Sequence, residues 1–361
     1  MRRAFVIFVV TGVVLAIAAL LLYRYAVRYP DRPLGAPGAA IKVVIPHGTN
    51  FPKVVTILQQ KGLIDSAAAF RIFANYKGLA SKVRAGSYTF EPDVTPRALL
   101  DILVHGVPAP TVTVLIPEGK TMIEVAEILD KAQIAPAASL VREMRNRRLL
   151  HRLGVSADSV EGYLFPDTYK LKAFTPPQEV LEVLVGRHKR VFVEVQSKHR
   201  GGLSWLRKKL RWGHHEIVIM ASIVEKETGQ SRERPLVASV FLNRLTFPWF
   251  HPKLLQTDPT IIYGCTVSEE KSAACKRFAG RIRRIHLDDR ENPYNTYVHS
   301  GLPPGPICNP GRAALDAVLA PEKSKFLYFV SKNDGTHHFS ATRAEHEQAV
   351  DRYQRGGAPK R

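Results

Sequence analysis

The chain has 361 residues, 45% of them hydrophobic and 9% aromatic, which is enough for two or three cores and excludes a disordered polymer. Its 52 Lys and Arg against 32 Asp and Glu give a formal net charge of +20, a balance that invites nucleic acid as a partner. The cations are scattered in clusters at 142–152, 187–200, 207–211 and 277–284, with no helix-turn-helix, zinc knuckle or stacking motif, so no nucleic acid is expected and anionic headgroups or an anionic wall polymer fit better.

Residues 4–22, AFVIFVVTGVVLAIAALLL, contain no charge. At about 1.5 Å per residue such a helix approaches the hydrocarbon thickness of a bilayer. A buried core helix would carry a polar stripe, and this run has only Thr11. A cleaved signal peptide is the rival, with Ala16-Ile17-Ala18 as its small-residue site, but Ala19-Leu20-Leu21-Leu22 continues the apolar run beyond it. The expectation is a single-pass anchor over residues 1–28, with the phospholipid bilayer as partner. Arg2 and Arg3 precede the run and Arg24, Arg28 and Arg32 follow it, so flanking charge does not favour a cytoplasmic amino terminus. A Pro- and Gly-rich linker follows at 29–40.

An internal echo comes next. Lys42-Val43-Val44-Ile45-Pro46-His47-Gly48-Thr49 precedes an apolar helical pattern at 54–58. Thr113-Val114-Leu115-Ile116-Pro117-Glu118-Gly119-Lys120-Thr121 precedes another at 123–129. Each copy reads as a strand, a Pro-x-Gly turn and an amphipathic helix, which predicts two small α/β units at 41–105 and 110–172. The aromatic, proline-broken GYLFPDTYK at 162–170 is hard to place as regular structure, and helical periodicity returns at 177–195.

Residues 217–228, IVIMASIVEKET, put acids into a helix that otherwise reads as buried. On a wheel of about 100° per residue the apolar side chains occupy nearly every direction. Glu225 falls between Ala221 and Val218, and Glu227 between Ile223 and Met220. They point about 160° apart, so they do not act as a pair on one bond, and one of them is the candidate acid. A carboxyl taken out of water has a raised pKa, which suits a proton donor near neutral pH. The plainer reading is a helix end emerging into water, and the wheel does not choose between the two Glu.

A second helix is expected at 234–245, followed by loops containing Leu255-Gln256-Thr257-Asp258-Pro259-Thr260, Tyr294-Asn295-Thr296-Tyr297 and Gly301-Leu302-Pro303-Pro304-Gly305. Proline-bounded loops hold polar side chains at low entropic cost. Amides, hydroxyls and aromatic faces suit a sugar, although Asp258 and Asn295 could equally cap turns. Cys265 and Cys275 bracket a short polar segment and could close a disulfide or stay reduced, with Cys308 free. No Cys or His spacing suggests zinc, and His214-His215-Glu216 reads as a polar helix start, so no metal or cofactor is expected. A strand at 326–331, the His337-His338-Phe339 segment, a closing helix at 343–353 and a disordered tail at 356–361 complete the chain.

The apolar amino terminus, then ASIVEKET, VASVFLNRL, LQTDPT, YNTY, GLPPGPI and YFV…HHFS, in that order, resemble the MltG (YceG-like) endolytic murein transglycosylase family over nearly the whole chain to about Tyr353. The resemblance implies an α+β fold: an N-terminal transmembrane helix, LysM-like α/β units matching the repeat, and a mixed α+β catalytic domain at 177–355. It implies a bacterial inner-membrane enzyme with its body in the periplasm. Such an enzyme cleaves nascent peptidoglycan strands between N-acetylmuramic acid and N-acetylglucosamine, leaves 1,6-anhydromuramyl ends and terminates elongation beside the synthases (penicillin-binding proteins). By the same resemblance the catalytic acid falls on Glu225, the first Glu of the E-K-E-T motif. Gln256, Thr257, Asp258, Tyr294, Asn295 and Tyr297 would line the glycan cleft, with His337 a further candidate and Glu161 and Asp167 shaping its wall or the domain junction. One acid/base then suffices, unlike the carboxylate pair of most glycosidases. The rivals are an inactive peptidoglycan-binding scaffold and a hydrolytic muramidase, which would need a second carboxylate or a held water near Glu225, with Asp258 the residue to test. Two departures from the family pattern flank the presumed cleft: a longer aromatic 246–254 segment and a basic, Cys-containing 265–290 loop.

Overall fold

The computed structural model describes residues 2–33, 39–46, 48–91, 93–106 and 110–356. The tail expected beyond Gly356, and residues 34–38 of the expected linker, lie outside the described residues. The chain is mixed α+β and divides into two compact units, Met1–Thr111 with Lys172–Thr175, and Val112–Leu171 with Pro176–Arg361.

The first unit opens with α1 (Arg2–Arg28). Among the described residues no helix is long and apolar enough to cross a membrane, so the transmembrane anchor expected for residues 1–28 has no support from the structure. A 3-10 turn at Tyr29–Asp31 follows and buries Tyr29. Then come β1 (Ile41–Ile45), α2 (Phe51–Gln60), α3 (Ala67–Tyr76), β2 (Gly86–Phe90) and α4 (Pro96–His105). β1 and β2 pair antiparallel, from Ile41 opposite Phe90 to Ile45 opposite Gly86. Val43, Ile45, Tyr88 and Phe90 point from this sheet onto Val54, Val55, Leu58, Phe70 and Leu99 of the helices. Asn50, Ser66 and Thr95 cap α2, α3 and α4 by accepting from the backbone N–H three residues on.

The second unit begins with β3 (Thr111–Leu115), α5 (Met122–Lys131), α6 (Ala137–Met144), α7 (Arg147–Arg152) and β4 (Thr168–Lys172), with β3 and β4 in one sheet. Gly48 and Gly119, the glycines of the two Pro-x-Gly motifs, have φ of +76° and +74°, a region that glycine enters without a Cβ clash. The long helices follow: α8 (Pro177–Lys198), α9 (Arg200–Leu210), α10 (His214–Glu227) and α11 (Arg234–Thr246). After them come α12 (Asp258–Thr266), α13 (Arg284–Leu287), α14 (Arg312–Leu319), the hairpin β5 (Tyr328–Ser331) and β6 (His337–Ser340), and α15 (Arg343–Val350).

Helix α10 is central. Every residue from Ile217 to Val224 is buried, as expected of a helix that is apolar all round, and it packs against α11, α12 and α14. Its one interior hydroxyl, Ser222, donates to the Ile219 carbonyl at 2.7 Å and accepts from the Ile307 N–H at 3.0 Å, so no polar atom is left unpaired there. The buried stem brings the EKE end of α10 to the face where the functional groups gather.

Candidate active site

The two Glu at the end of α10 have different surroundings. The Glu225 carboxylate accepts from Arg234 Nη2 of α11 at 2.5 Å and from the Gly311 N–H ahead of α14 at 3.0 Å. Arg234 also reaches Glu118 of the second Pro-x-Gly turn at 3.2 Å. A Cβ at Gly311 would stand 1.8 Å from Glu118 Oε1, so any larger residue there would push the half-exposed Glu118 side chain aside. Burial raises the Glu225 pKa, and Arg234 and the Gly311 N–H oppose that rise. Both oxygens are committed, and the side chain is 5% exposed. Glu225 clips α10 to α11, to α14 and to the turn.

Glu227 lies on the other side of the helix, at the wall of a cleft of about 940 Å³. The Thr257 hydroxyl donates to Glu227 Oε1. The Glu227 carboxyl is pushed up to about 7: burial, the largest cause, and the Asp258 charge raise it, while the Thr257 hydrogen bond and the charges of Arg244 and His337 oppose the rise. A carboxyl near 7 is half protonated at neutral pH and can both give and take a proton.

The residues expected from the L-Q-T-D-P-T, Y-N-T-Y and H-H-F segments meet this cleft in part. Gln256, Thr257, Asp258, Tyr297 and His337 line it together with Glu227. Gln256 has φ of +52°, an uncommon value for a non-glycine residue. The strained backbone is held because the Gln256 N–H donates to the Thr296 carbonyl and the Thr257 N–H to the Thr296 hydroxyl, both at 3.1 Å. Asp258 opens α12, and Tyr297 donates its hydroxyl to Asp258 Oδ1 at 2.7 Å. His337, on β6, is clamped through its backbone N–H (3.1 Å) and its Nδ1 (2.7 Å) by the two carboxylate oxygens of Glu233.

The other expected residues lie elsewhere. The buried Asn295 amide donates to the carbonyls of His286, Leu287 and Asp289, and its oxygen accepts from the Tyr297 N–H; it braces the loop and does not line the cleft. Tyr294 packs on Tyr263 with ring centroids 4.8 Å apart and lines a separate cavity of about 700 Å³ with His215 and Glu161. Glu161 is 2% exposed and accepts from the Met122 N–H at the start of α5, from Tyr263 and from Asn309. Burial pushes its carboxyl up to about 8. Asp167 pairs with Arg187 at 2.7 Å, which with other hydrogen bonds holds its pKa low against burial.

Several cleft-lining residues were not singled out from the sequence, Arg244 among them, and Glu233 bears on the cleft through His337. Arg244 is buried on α11, donates to the Leu327 and Leu255 carbonyls and lies 5.5 Å from the Tyr328 ring centroid; its signal was a lone cation in the apolar VASVFLNRL. Glu233 showed no periodic signal, and its contact with His337 spans 104 positions. Cys265 and Cys275 form a disulfide, and Cys308 is buried and free. Among the described residues no group of three or more His, Cys, Asp or Glu could hold a metal ion.

The YceG-like family model matches residues 43–352. An endolytic murein transglycosylase of Bacillus subtilis is 29% identical over 328 residues, covering 87% of this chain and 84% of that protein. One from Streptococcus pneumoniae is 27% identical over 338 residues, and the match spans 58% of its length. A crystal structure of a YceG-like protein from Listeria monocytogenes, at 29% identity, superposes with a TM-score of 0.54 over 86% of this chain and 99% of that one. With most of its length matched by the family model, this chain belongs to the YceG-like family.

Proposed function

We propose that this chain is a lytic transglycosylase acting on the glycan strands of peptidoglycan, and that its acid/base is Glu227 and not Glu225. The observation that carries the assignment is the position of Glu227 in the cleft, with a carboxyl near 7, among the residues of the L-Q-T-D-P-T, Y-N-T-Y and H-H-F segments. Glu225, the acid expected by resemblance, has both oxygens engaged by Arg234 and Gly311 and lines neither the Glu227 cleft nor the cavity beside Tyr294. The activity itself is supported by the family and by relatives named endolytic murein transglycosylases.

The chemistry balances without water. Protonated Glu227 donates to the glycosidic oxygen between N-acetylmuramic acid and N-acetylglucosamine as the C1–O bond breaks. The C6 hydroxyl of the muramyl residue then closes on C1 and returns its proton to the Glu227 carboxylate, giving a 1,6-anhydromuramyl end. The Thr257 hydroxyl occupies one Glu227 oxygen and leaves the other to carry the proton. Arg244, fixed behind the cleft by backbone carbonyls, offsets the negative charge that appears once the proton has left. Asp258, Tyr297 and His337 supply hydrogen bonds to the sugar, His337 being held in one orientation by Glu233.

The proposal extends to setting. Residues 1–28 anchor the chain in the bacterial inner membrane with its body in the periplasm. The uncharged run 4–22 supports the anchor, and a disulfide suited to an oxidising compartment supports the periplasmic body. The β-α-α-β order over 41–90 supports a LysM-like wall-binding unit, and action beside peptidoglycan synthases, ending strand elongation, belongs to the same reading on the strength of the sequence resemblance alone. Purified peptidoglycan is digested with the wild type, Glu227→Gln and Glu225→Gln, and the products are read by mass spectrometry. Anhydromuramyl ends from wild type and Glu225→Gln but not from Glu227→Gln are expected. Loss of those ends only in Glu225→Gln, with its fold intact, would return the acid to Glu225; reducing ends would make the enzyme a hydrolase. Fractionation of cells carrying the chain with and without residues 1–28 tests the anchor.

A further inference from the structure

The segment 247–254, FPWFHPKL, forms one wall of the cleft: Phe250, His251, Pro252 and Leu254 line it. The wall is braced. The Phe250 N–H donates to the Phe247 carbonyl (3.2 Å), the Leu254 N–H to the Pro252 carbonyl (2.8 Å) and the Gly301 N–H to the Lys253 carbonyl (2.9 Å), and Lys253 Nζ also reaches the Phe247 carbonyl. On this braced loop Trp249 is 71% exposed and packs on Phe247 with ring centroids 4.7 Å apart. Phe250 in turn lies 6.4 Å from Tyr328, across the ring pair that Arg244 faces. Trp249 is thus a large apolar ring left in water on a loop held by backbone hydrogen bonds, next in sequence to the cleft-lining Phe250.

We propose that Trp249, backed by Phe247, is a stacking platform for a pyranose ring of the glycan strand beyond the cleavage point, extending the grip of the Glu227 cleft. The occupant follows from continuity: the aromatic wall runs out of a cleft whose other groups are hydrogen-bonding partners for sugar hydroxyls. An indole face presents a flat apolar surface to the C–H face of a pyranose, and the platform needs no change in the chemistry at Glu227. The inference rests on the glycan-cleaving reading above.

Steady-state cleavage of peptide-free glycan strands and of a single tetrasaccharide is compared for the full-chain wild type, Trp249→Ala, Trp249→Tyr and, as an exposed-indole control, Trp205→Ala. Aromatic contacts of this size predict about a five- to tenfold rise in KM on long strands for Trp249→Ala. The kcat, the thermal midpoint and the KM for the tetrasaccharide should be unchanged, Trp249→Tyr should keep most of the affinity, and Trp205→Ala should match the wild type. An unchanged long-strand KM in Trp249→Ala, an equal loss on the tetrasaccharide, or a fall in thermal midpoint that accounts for the loss would overturn the platform and leave the glycan-cleaving reading standing. A wild type that cleaves neither substrate would overturn both together.

Discussion

Glu225 and Glu227 show how much one helical position decides. The sequence places them on opposite sides of α10, and the structure agrees with that geometry, but each side is flanked by apolar residues in the sequence. What separates the two is the partner each side meets: Arg234 and the Gly311 N–H for one, the strained Gln256-Thr257 turn for the other. Those partners come from segments nine to 86 positions away, beyond the reach of a wheel. Two outcomes follow at this scale. Glu225→Ala leaves Arg234 as a buried cation with only the half-exposed Glu118 beside it, and is expected to cost about 3 kcal/mol of stability, measured by denaturant unfolding. For Glu227 the sign runs the other way. Its folded pKa is raised from 4.5 to about 7, so the proton it must donate is present below about 7 and lost above it. The kcat/KM on glycan strands should fall as pH rises through about 7; a rate that holds level to pH 9 would remove Glu227 as the acid.

Among the elements, those with strong local pattern were legible and those that depend on long-range contacts were not. The apolar periodicity at 177–195 and 234–245 corresponds to α8 and α11, and the 326–331 strand to β5 with its partner β6. In the sequence Tyr294, Asn295 and Tyr297 are alike as cleft candidates, because an amide or phenol carries no signal of the direction it faces. Only Tyr297 lines the Glu227 cleft, while Asn295 spends its amide on three carbonyls of its own loop. Behind Tyr297 sits a small core of Ile261, Cys265 and Cys275. Replacing both disulfide cysteines with Ser loosens that support, so a several-fold loss of strand cleavage, with the anhydromuramyl product unchanged, is expected by mass spectrometry. Glu161 joins the start of α5 to α12 through Met122 and Tyr263. Its folded pKa is raised from 4.5 to about 8, so its favourable contribution is complete below about 4.5 and declines as pH rises to about 8. The thermal midpoint of the wild type measured against Glu161→Gln should therefore fall across that window, and a difference that stays constant with pH would mean that Glu161 is ionised throughout.

At the scale of the whole chain, the candidate chemistry belongs to one unit. Glu227, the 254–258 turn, Tyr297 and His337 all lie within 176–361, and the large core containing α10 draws on residues from Val114 to Leu319. The first unit has a separate core, built on β1, β2 and the helices between and after them. The sequence echo begins in this region, and each copy has a strand followed by a positive-φ glycine and a helix. Yet the second copy shares its core with the long helices, because Val114, Ile116, Val125 and Leu129 pack into the same cluster as Ile217 and Val224. A two-unit chain with separate cores is expected to tolerate separation of wall binding from cleavage. A fragment of residues 110–361 keeps the whole large core, the cleft and the 172–175 segment. It should unfold cooperatively and cleave peptide-free glycan strands with a kcat within about twofold of the full chain, while pelleting less with intact sacculi because the 41–105 unit is gone. A fragment that folds and pellets like the full chain would remove wall binding from the first unit, and one that folds but no longer cleaves would mean that the first unit contributes to the chemistry itself.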